Sequence, residues 1–284
     1  MRILILTDIH GNLPALEAIL AHPKAESCGS VISLGDHTGF GPCPRQVQQR
    51  LMELGAVILR GNHEDRLQEA MTPAFAGENW TLLRWTARQL AGLPVVFPVD
   101  ERRGDVFMTH GVPGDPYRLM TDDDVLSVRD NLPAGISLFL SGHNHSRWDV
   151  SAPGFRAVNP GAAGMGEDGV GGIASFGVLE MQGDHVGAFS AYTVPYDLQV
   201  VRRAFIESGA ADAAPDICRG ALTTMEAGVS QLVLKMIRHA VQTAEAMCLP
   251  MGDPAAWKVA MDTWTWRDGR STAAYWADIR ASLG

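Results

Sequence analysis

The stretch MRILILTDIHGN, residues 1–12, decides the reading of this chain. Ile3–Leu6 is an apolar run of strand length, and it passes directly into Thr7-Asp8-Ile9-His10-Gly11-Asn12. A strand that ends in a carboxylate, an imidazole and an amide, with a glycine to turn the backbone, sets polar donors at the edge of a sheet. The same sentence recurs along the chain. Val31–Leu34 runs into Gly35-Asp36, and Ala56–Leu59 into Gly61-Asn62-His63-Glu64. Val106–Met108 runs into Thr109-His110-Gly111, and Ser137–Leu140 into Gly142-His143-Asn144-His145.

Between the early strands lie the helix-like segments Leu13–Ala21 and Pro44–Leu54, so the chain opens as β-α-β-α-β. A further strand is predicted at Val95–Val99. Residues 79–91 repeat apolar positions at helical spacing, with Asn79 as the expected N-cap and Gly92 as the stop. Residues 147–151, 155–158, 173–181 and 185–194 read as short strands. After Tyr196 the texture changes, and 197–208, 213–248 and 254–281 read as helices rich in Ala, Leu, Met and Trp. The expectation is an α/β sandwich of two mixed sheets flanked by helices over residues 1–205, with a helical C-terminal extension over 206–284. Trp257, Trp264, Trp266 and Trp276 in that extension are expected to pack on the core, or to form a lid or a dimer surface.

Composition narrows the class. Of the 284 residues, 46% are hydrophobic and 19% charged, which fits a globular protein with a full core rather than a disordered chain. The net charge of −9, with no block of Lys or Arg, argues against stable nucleic-acid binding, which depends on neutralising phosphates. No segment approaches the roughly 20 apolar residues that span a bilayer, and Ile3–Leu6 is far short of an export-signal core. Cys28, Cys43, Cys218 and Cys248 form no CxxC pair. Reduced thiols in the cytoplasm are the expectation.

Taken singly, each strand-end motif is weak, since a lone histidine at a strand end is usually structural. Together they place His10, His63, His110, His143 and His145 in glycine-flanked loops. Ligands of α/β sheets bind in the crevice beyond the carboxyl ends of the strands. A pair of metals about 3.5–4 Å apart needs a bridging carboxylate and several neutral donors. Mixed Asp, His and Asn donors suit transition ions better than Mg or Ca.

The series DIH, GD, GNHE, THG and GHNH resembles the calcineurin-like metallophosphoesterases, most closely their compact bacterial and archaeal phosphodiesterase branch. Asn159-Pro160-Gly161-Ala162-Ala163-Gly164 is similar to the NPGS-type loop of that branch, and GDHTGFGPCP (35–44) to its GDxVGYGPxP form. The resemblance covers residues 1–205. It implies one divalent ion held by Asp8, His10, Asp36 and His145, and a second held by Asp36, Asn62, His110 and His143, with Asp36 as the bridge. Manganese is the first candidate, with iron, zinc, nickel and cobalt behind it. His63 would stand beside the scissile ester as general acid or as donor to the phosphoryl oxygens. The implied activity is hydrolysis of a small, nucleotide-like phosphate mono- or diester by water.

Some residues fall outside that pattern. His37, next to Asp36, is a candidate to reach the phosphate or to tune the metal, and Asn12 is a second candidate substrate contact. Glu64 reads as orienting His63 or as a favourable first-turn charge on a helix. The GDxxDRG arginine of protein Ser/Thr phosphatases is absent, because 37–41 reads His-Thr-Gly-Phe-Gly. A phosphoprotein phosphatase and a non-catalytic scaffold remain alternatives, although no ligand position is missing. A homo-oligomer formed through the C-terminal helices is a further expectation.

Overall fold

A computed structural model of the chain describes residues 1–120, 124–229 and 232–283. The first sheet runs in the order β10-β9-β1-β2-β3. Its strands are β1 (Arg2–Leu6), β2 (Ser30–Ser33), β3 (Val57–Ile58), β9 (Ile173–Gln182) and β10 (His185–Pro195). The second sheet runs β4-β5-β6-β8-β7. It comprises β4 (Asp100–Arg103), β5 (Val106–Thr109), β6 (Leu138–Leu140), β7 (Trp148–Ala152) and β8 (Phe155–Asn159). Strands β1, β2 and β3 are parallel, as are β5, β6 and β8, and β9, β10, β4 and β7 pair antiparallel with their neighbours. Both sheets are therefore mixed, as the sequence predicts.

The strand runs are apolar throughout because both faces of each sheet are covered. Side chains alternate between the two faces. Ile3 and Ile5 of β1 meet Val106 and Met108 of β5, Leu138 and Leu140 of β6, and Val158 of β8 in the seam between the sheets. Leu4 and Leu6 point the other way, onto Leu16 and Ile19 of α1 (Leu13–Leu20) and Val47 and Leu51 of α3 (Pro44–Glu53). Phe107 and Phe139 face outward to Val128 in the helix Asp124–Arg129. Each such side chain, fully buried, contributes about 1.5–3 kcal/mol. Together these contacts fix the register that sets the strand ends.

Two local expectations are corrected. No strand forms at Val95–Val99. Pro94 precedes it and Pro98 interrupts it, both without N–H donors, Val96 is exposed, and the strand begins instead at Asp100. Asn79 does not cap the helix after it. It sits inside a short 3-10 turn, and α5 (Thr81–Gln89) starts behind Trp80.

Beyond Tyr196 the described chain is helical. It forms α7 (Leu198–Glu207), α8 (Ala210–Ala213), α9 (Pro215–Ala227), α10 (Leu232–Ala246), α11 (Pro254–Thr263) and α12 (Thr272–Leu283). The predicted helix 213–248 is broken at Gly228, which adopts φ +59°, and a side chain there would overlap Val170. Trp266 and Trp276 are buried with Phe205, Ile217, Leu222 and Tyr275, and Trp257 and Trp264 pack partly against them. Leu82 and Trp85 of α5 join the same cluster, which ties the helical layer to the sandwich. No described helix is long and apolar enough to cross a membrane.

Candidate metal centre

Five loops leave the carboxyl ends of parallel strands side by side: Asp8–Asn12 after β1, Asp36–Thr38 after β2, Asn62–Glu64 after β3, His110 after β5, and His143–His145 after β6. Backbone hydrogen bonds lace them together. Asp8 N–H donates to Gly35 O at 3.1 Å, His10 N–H to Asp36 O at 2.9 Å, and Gly142 N–H to His110 O at 2.8 Å. The loop after β8 closes the group, with Ala163 N–H donating to Thr7 O at 2.8 Å and Gly164 N–H to Asp8 O at 3.0 Å.

Each carboxylate has one oxygen fixed and one turned inward. Asp8 Oδ2 accepts from the Thr7 hydroxyl at 2.6 Å and from His143 N–H at 3.0 Å. Its Oδ1 is buried without a hydrogen-bond partner, 3.4 Å from His145 Nε2 and 3.9 Å from His10 Nε2. Asp36 Oδ1 accepts from His63 N–H at 2.9 Å, while Oδ2 lies 3.2 Å from His110 Nε2 and 4.0 Å from His10 Nε2. Asn62 Oδ1 is 3.1 Å from His110 Nε2.

The imidazoles are oriented from behind. His110 Nδ1–H donates to Leu34 O at 3.1 Å, which turns Nε2 toward Asp36 and Asn62. His143 Nε2–H donates to Tyr117 O at 3.1 Å, which leaves Nδ1 as the remaining ring nitrogen. Behind His145, Glu167 Oε1 stands 3.5 Å from Nδ1. A carboxylate or carbonyl behind a histidine is the usual support for a metal ligand. Ligand atoms of Asp8, His10 and His145 lie within 4.8 Å of one another, as do those of Asp36, His110 and His143. A third group within the same limit joins His10 and Asp36 to His63.

This donor set fits divalent cations. His10 Nε2 and His145 Nε2 approach to 2.9 Å beside the unpartnered Asp8 oxygen, an arrangement that a shared cation relieves. In the metal-free chain the charges sort themselves out by protonation. Burial opposes the ionisation of Asp8 and Asp36, but the surrounding histidines together outweigh it, His110 foremost, with His145 at Asp8 and His63 at Asp36, and hold both carboxyls well below the usual range. Burial likewise works against charge on His110 and His145. For His110 the Asp36 carboxylate outweighs it and raises the pKa to about 9; for His145 the Asp8 carboxylate does so, to about 10. At His10 the pull of Asp36 and Asp8 is too weak to compensate, and burial followed by His145 keeps it well below the ordinary imidazole value.

The backbone is held in a costly form at these residues. Asp8, His10, Asp36, His143 and His145 all have positive φ, between +49° and +68°, and Cys248 is the one other non-glycine described residue that does. The left-handed region is disfavoured for such residues and clusters at functional sites, at about 1–3 kcal/mol each.

Glu64, which from sequence alone looks like a helix-start charge, is the hidden organiser. It is fully buried. Its Oε2 accepts from Asp36 N–H at 2.8 Å and Gly61 N–H at 2.9 Å, and its Oε1 from Thr38 N–H at 3.0 Å and the Thr38 hydroxyl at 2.8 Å. One side chain thus caps α4 (Asn62–Leu67) and pins the Asp36 loop to it. The two proposed substrate contacts are placed differently from the sequence expectation. His37 is fully buried, 3.3 Å from Glu64 Oε1 and 3.4 Å from Gln48 Oε1, with its ring edge-on to Phe97. Asn12 is fully buried, caps α1 through Ala15 N–H at 3.1 Å and donates to Gly164 O at 2.7 Å. Both side chains are buried, as are those of Asp8, His10, Asp36 and His110.

Comparison with known proteins agrees with this geometry. An uncharacterized protein of Methanocaldococcus jannaschii is 26% identical over 180 residues, covering 58% of this chain and 71% of that one. The phosphodiesterase YfcE of Escherichia coli is 29% identical over 167 residues, covering 45% of this chain and 91% of the relative. Among solved structures, a metallophosphoesterase from Sphaerobacter thermophilus superposes with a TM-score of 0.66 at 25% identity, over 81% of this chain and all of that one. A protein from Pyrococcus horikoshii superposes with a TM-score of 0.63 at 19% identity, over 80% and 98%, and shares the fold. Residues 1–184 match the calcineurin-like phosphoesterase superfamily domain, and the chain belongs to that superfamily of phosphoric ester hydrolases.

Proposed function

We propose that the chain hydrolyses a small, nucleotide-like phosphate ester, diester or monoester, with two divalent ions, manganese foremost and iron, zinc, nickel or cobalt as substitutes. The observation that carries this reading is the pair of inward carboxylate oxygens, Asp8 Oδ1 and Asp36 Oδ2, ringed by the imidazoles of His10, His110 and His145, with His110 and His143 each anchored by a backbone carbonyl. When bound, the ions supply Lewis acidity that lowers the pKa of water and neutralises charge on the phosphoryl oxygens.

The chain's own residues divide the remaining work. Asp8, His10, Asp36 and His145 hold one ion, and Asp36, Asn62, His110 and His143 the other, with Asp36 shared. His63 stands at the rim, its ring 4.9 Å from that of His10 and 4.8 Å from Phe40. Burial holds its pKa below the ordinary imidazole value. It therefore meets the ester at neutral pH as an uncharged N–H donor to the phosphoryl or leaving oxygen. Residues 1–205 are assigned to this chemistry and 206–284 to a helical extension that covers one side of it.

The test is hydrolysis of bis-p-nitrophenyl phosphate and p-nitrophenyl phosphate by metal-stripped protein, before and after adding Mn²⁺, with His63→Ala in parallel. Mn²⁺-dependent turnover that falls by about 10²–10³ in the variant, as when one charge-stabilising donor is lost, supports the assignment. No turnover of either ester at any metal loading refutes it.

A further inference from the structure

A cavity of about 340 Å³ adjoins the metal centre. It is lined by Asn62, His63 and His143 from the catalytic loops and by Ile217 of α9 and Leu234 and Ile237 of α10. Helices far along the chain thus share the cavity wall with the catalytic loops. The volume falls within the range of small-molecule sites, which are mostly apolar with a few fixed polar groups.

The polar groups here are arranged for a flat partner. The Arg66 guanidinium lies 5.0 Å from the Trp80 ring centroid and 5.2 Å from that of Tyr117. The adjacent carboxylate, Asp65, is already taken by Arg60 at 3.0 Å and by the Tyr117 hydroxyl at 2.8 Å. Arg66 is therefore held by rings and by no carboxylate among the described residues. Asn79, which does not cap α5, lines the cavity, with its Oδ1 turned to the backbone of Gly77 and Gly252. Phe40 packs edge-on against His63, which makes the aromatic surface continuous with the catalytic group.

We propose that this cavity seats a flat aromatic ring carried by the phosphate ester, so that α9 and α10 set substrate choice for a centre built from the first 145 residues. The proposal rests on the phosphoesterase reading above. Aromatic and guanidinium faces favour a rigid ring, which loses less freedom on burial than a flexible chain does. The ring could be an aryl group one bond from phosphorus or a base at the far side of a sugar. Both share this chemistry.

Two matched pairs separate them: phenylphosphonate with methylphosphonate, and adenosine 5′-monophosphate with ribose 5-phosphate. Inhibition constants are measured against bis-p-nitrophenyl phosphate turnover by the Mn²⁺-loaded full chain, and dissociation constants by titration calorimetry. The ring-bearing member of at least one pair is expected to bind about ten- to a hundredfold more tightly, the span of stacking on aromatic side chains. The pair that shows the preference identifies the source. Ile237→Trp, which fills the cavity, and Leu234→Asp, at a half-exposed position that tolerates a charge, each bring that ratio close to one while melting as folded proteins. Equal constants within both pairs for the wild type, or an undiminished ratio in both variants, overturn the proposal. Ring-selective binding without ester turnover would instead refute the phosphoesterase reading and leave the pocket standing.

Discussion

Replacing Glu64 by glutamine exchanges one oxygen for an amide at almost constant volume, and it tests how the Asp36 loop is held. Glutamine can keep one acceptor. Turned so that this oxygen serves Asp36 N–H and Gly61 N–H, the amide faces Thr38 N–H and the Thr38 hydroxyl. The hydroxyl can rotate to accept, but the Thr38 N–H cannot, so one buried backbone donor is stranded. A stranded donor costs about 1–3 kcal/mol, and the surviving bonds lose their charge assistance. The expected destabilisation is about 2–4 kcal/mol, a fall in Tm of roughly 3 to 7 °C for a chain of this size. Glu64→Ala strands Asp36, Thr38 and Gly61 N–H together and should exceed about 4 kcal/mol, among the largest single-site effects. Because Asp36 sits in the loop that Glu64 fixes, Mn²⁺ affinity of Glu64→Gln should also fall about 10–100-fold, as for other residues that support ligands from behind. Thermal melts of the metal-free protein and chelator competition read the two quantities separately. A Glu64→Gln protein that melts within about 0.5 kcal/mol of wild type, as an exposed substitution would, with unchanged Mn²⁺ affinity, would refute this account of the loop.

Two further predictions follow from the centre. His110 and His145 titrate at about 9 and about 10 in the metal-free chain. Both are protonated at neutral pH and must release a proton to become ligands, one for each ion, so the logarithm of the affinity for each ion should rise by about one per pH unit from pH 6.5 to 8 and level off above pH 10; a slope near zero, measured by calorimetry in buffers of different ionisation enthalpy, would show that they do not ligate. Gly61→Ala would set a methyl group 2.1 Å from Asp36 Oδ1, although its φ of −94° suits any residue. Metal binding should be lost through displaced Asp36 while the fold persists, and a fully loaded variant by metal analysis would count against a bridging Asp36.

What the sequence reveals and what it hides divide along physical lines. β1, β2, β5 and β6 are legible because they are buried on both faces, which leaves an unmistakable apolar run ending in Gly, Asp or His. β4 is not, because Asp100-Glu101-Arg102-Arg103 lies at a sheet edge, paired only with β5, and needs no apolar side chains. The candidate ligands stand out by residue type and by recurrence at strand ends. Glu64 does not, since its partners Asp36 and Thr38 are 28 and 26 residues away and reach it only when two loops fold side by side. Ile217, Leu234 and Ile237 are as silent, because an apolar residue on a helix reads as core whether it faces a neighbouring helix or an open cavity.

The left-handed backbone at Asp8, His10, Asp36, His143 and His145 has an evolutionary consequence. Glycine is the residue best suited to each of these conformations. A change from ligand to glycine would relax the chain at the same stroke that removes a donor. Backbone strain therefore works against the candidate donors at five separate positions, opposed at Asp8 and Asp36 by the buried hydrogen bonds their carboxylates accept. A lineage freed from selection for turnover should lose its centre by glycine substitution early, well before its core begins to erode.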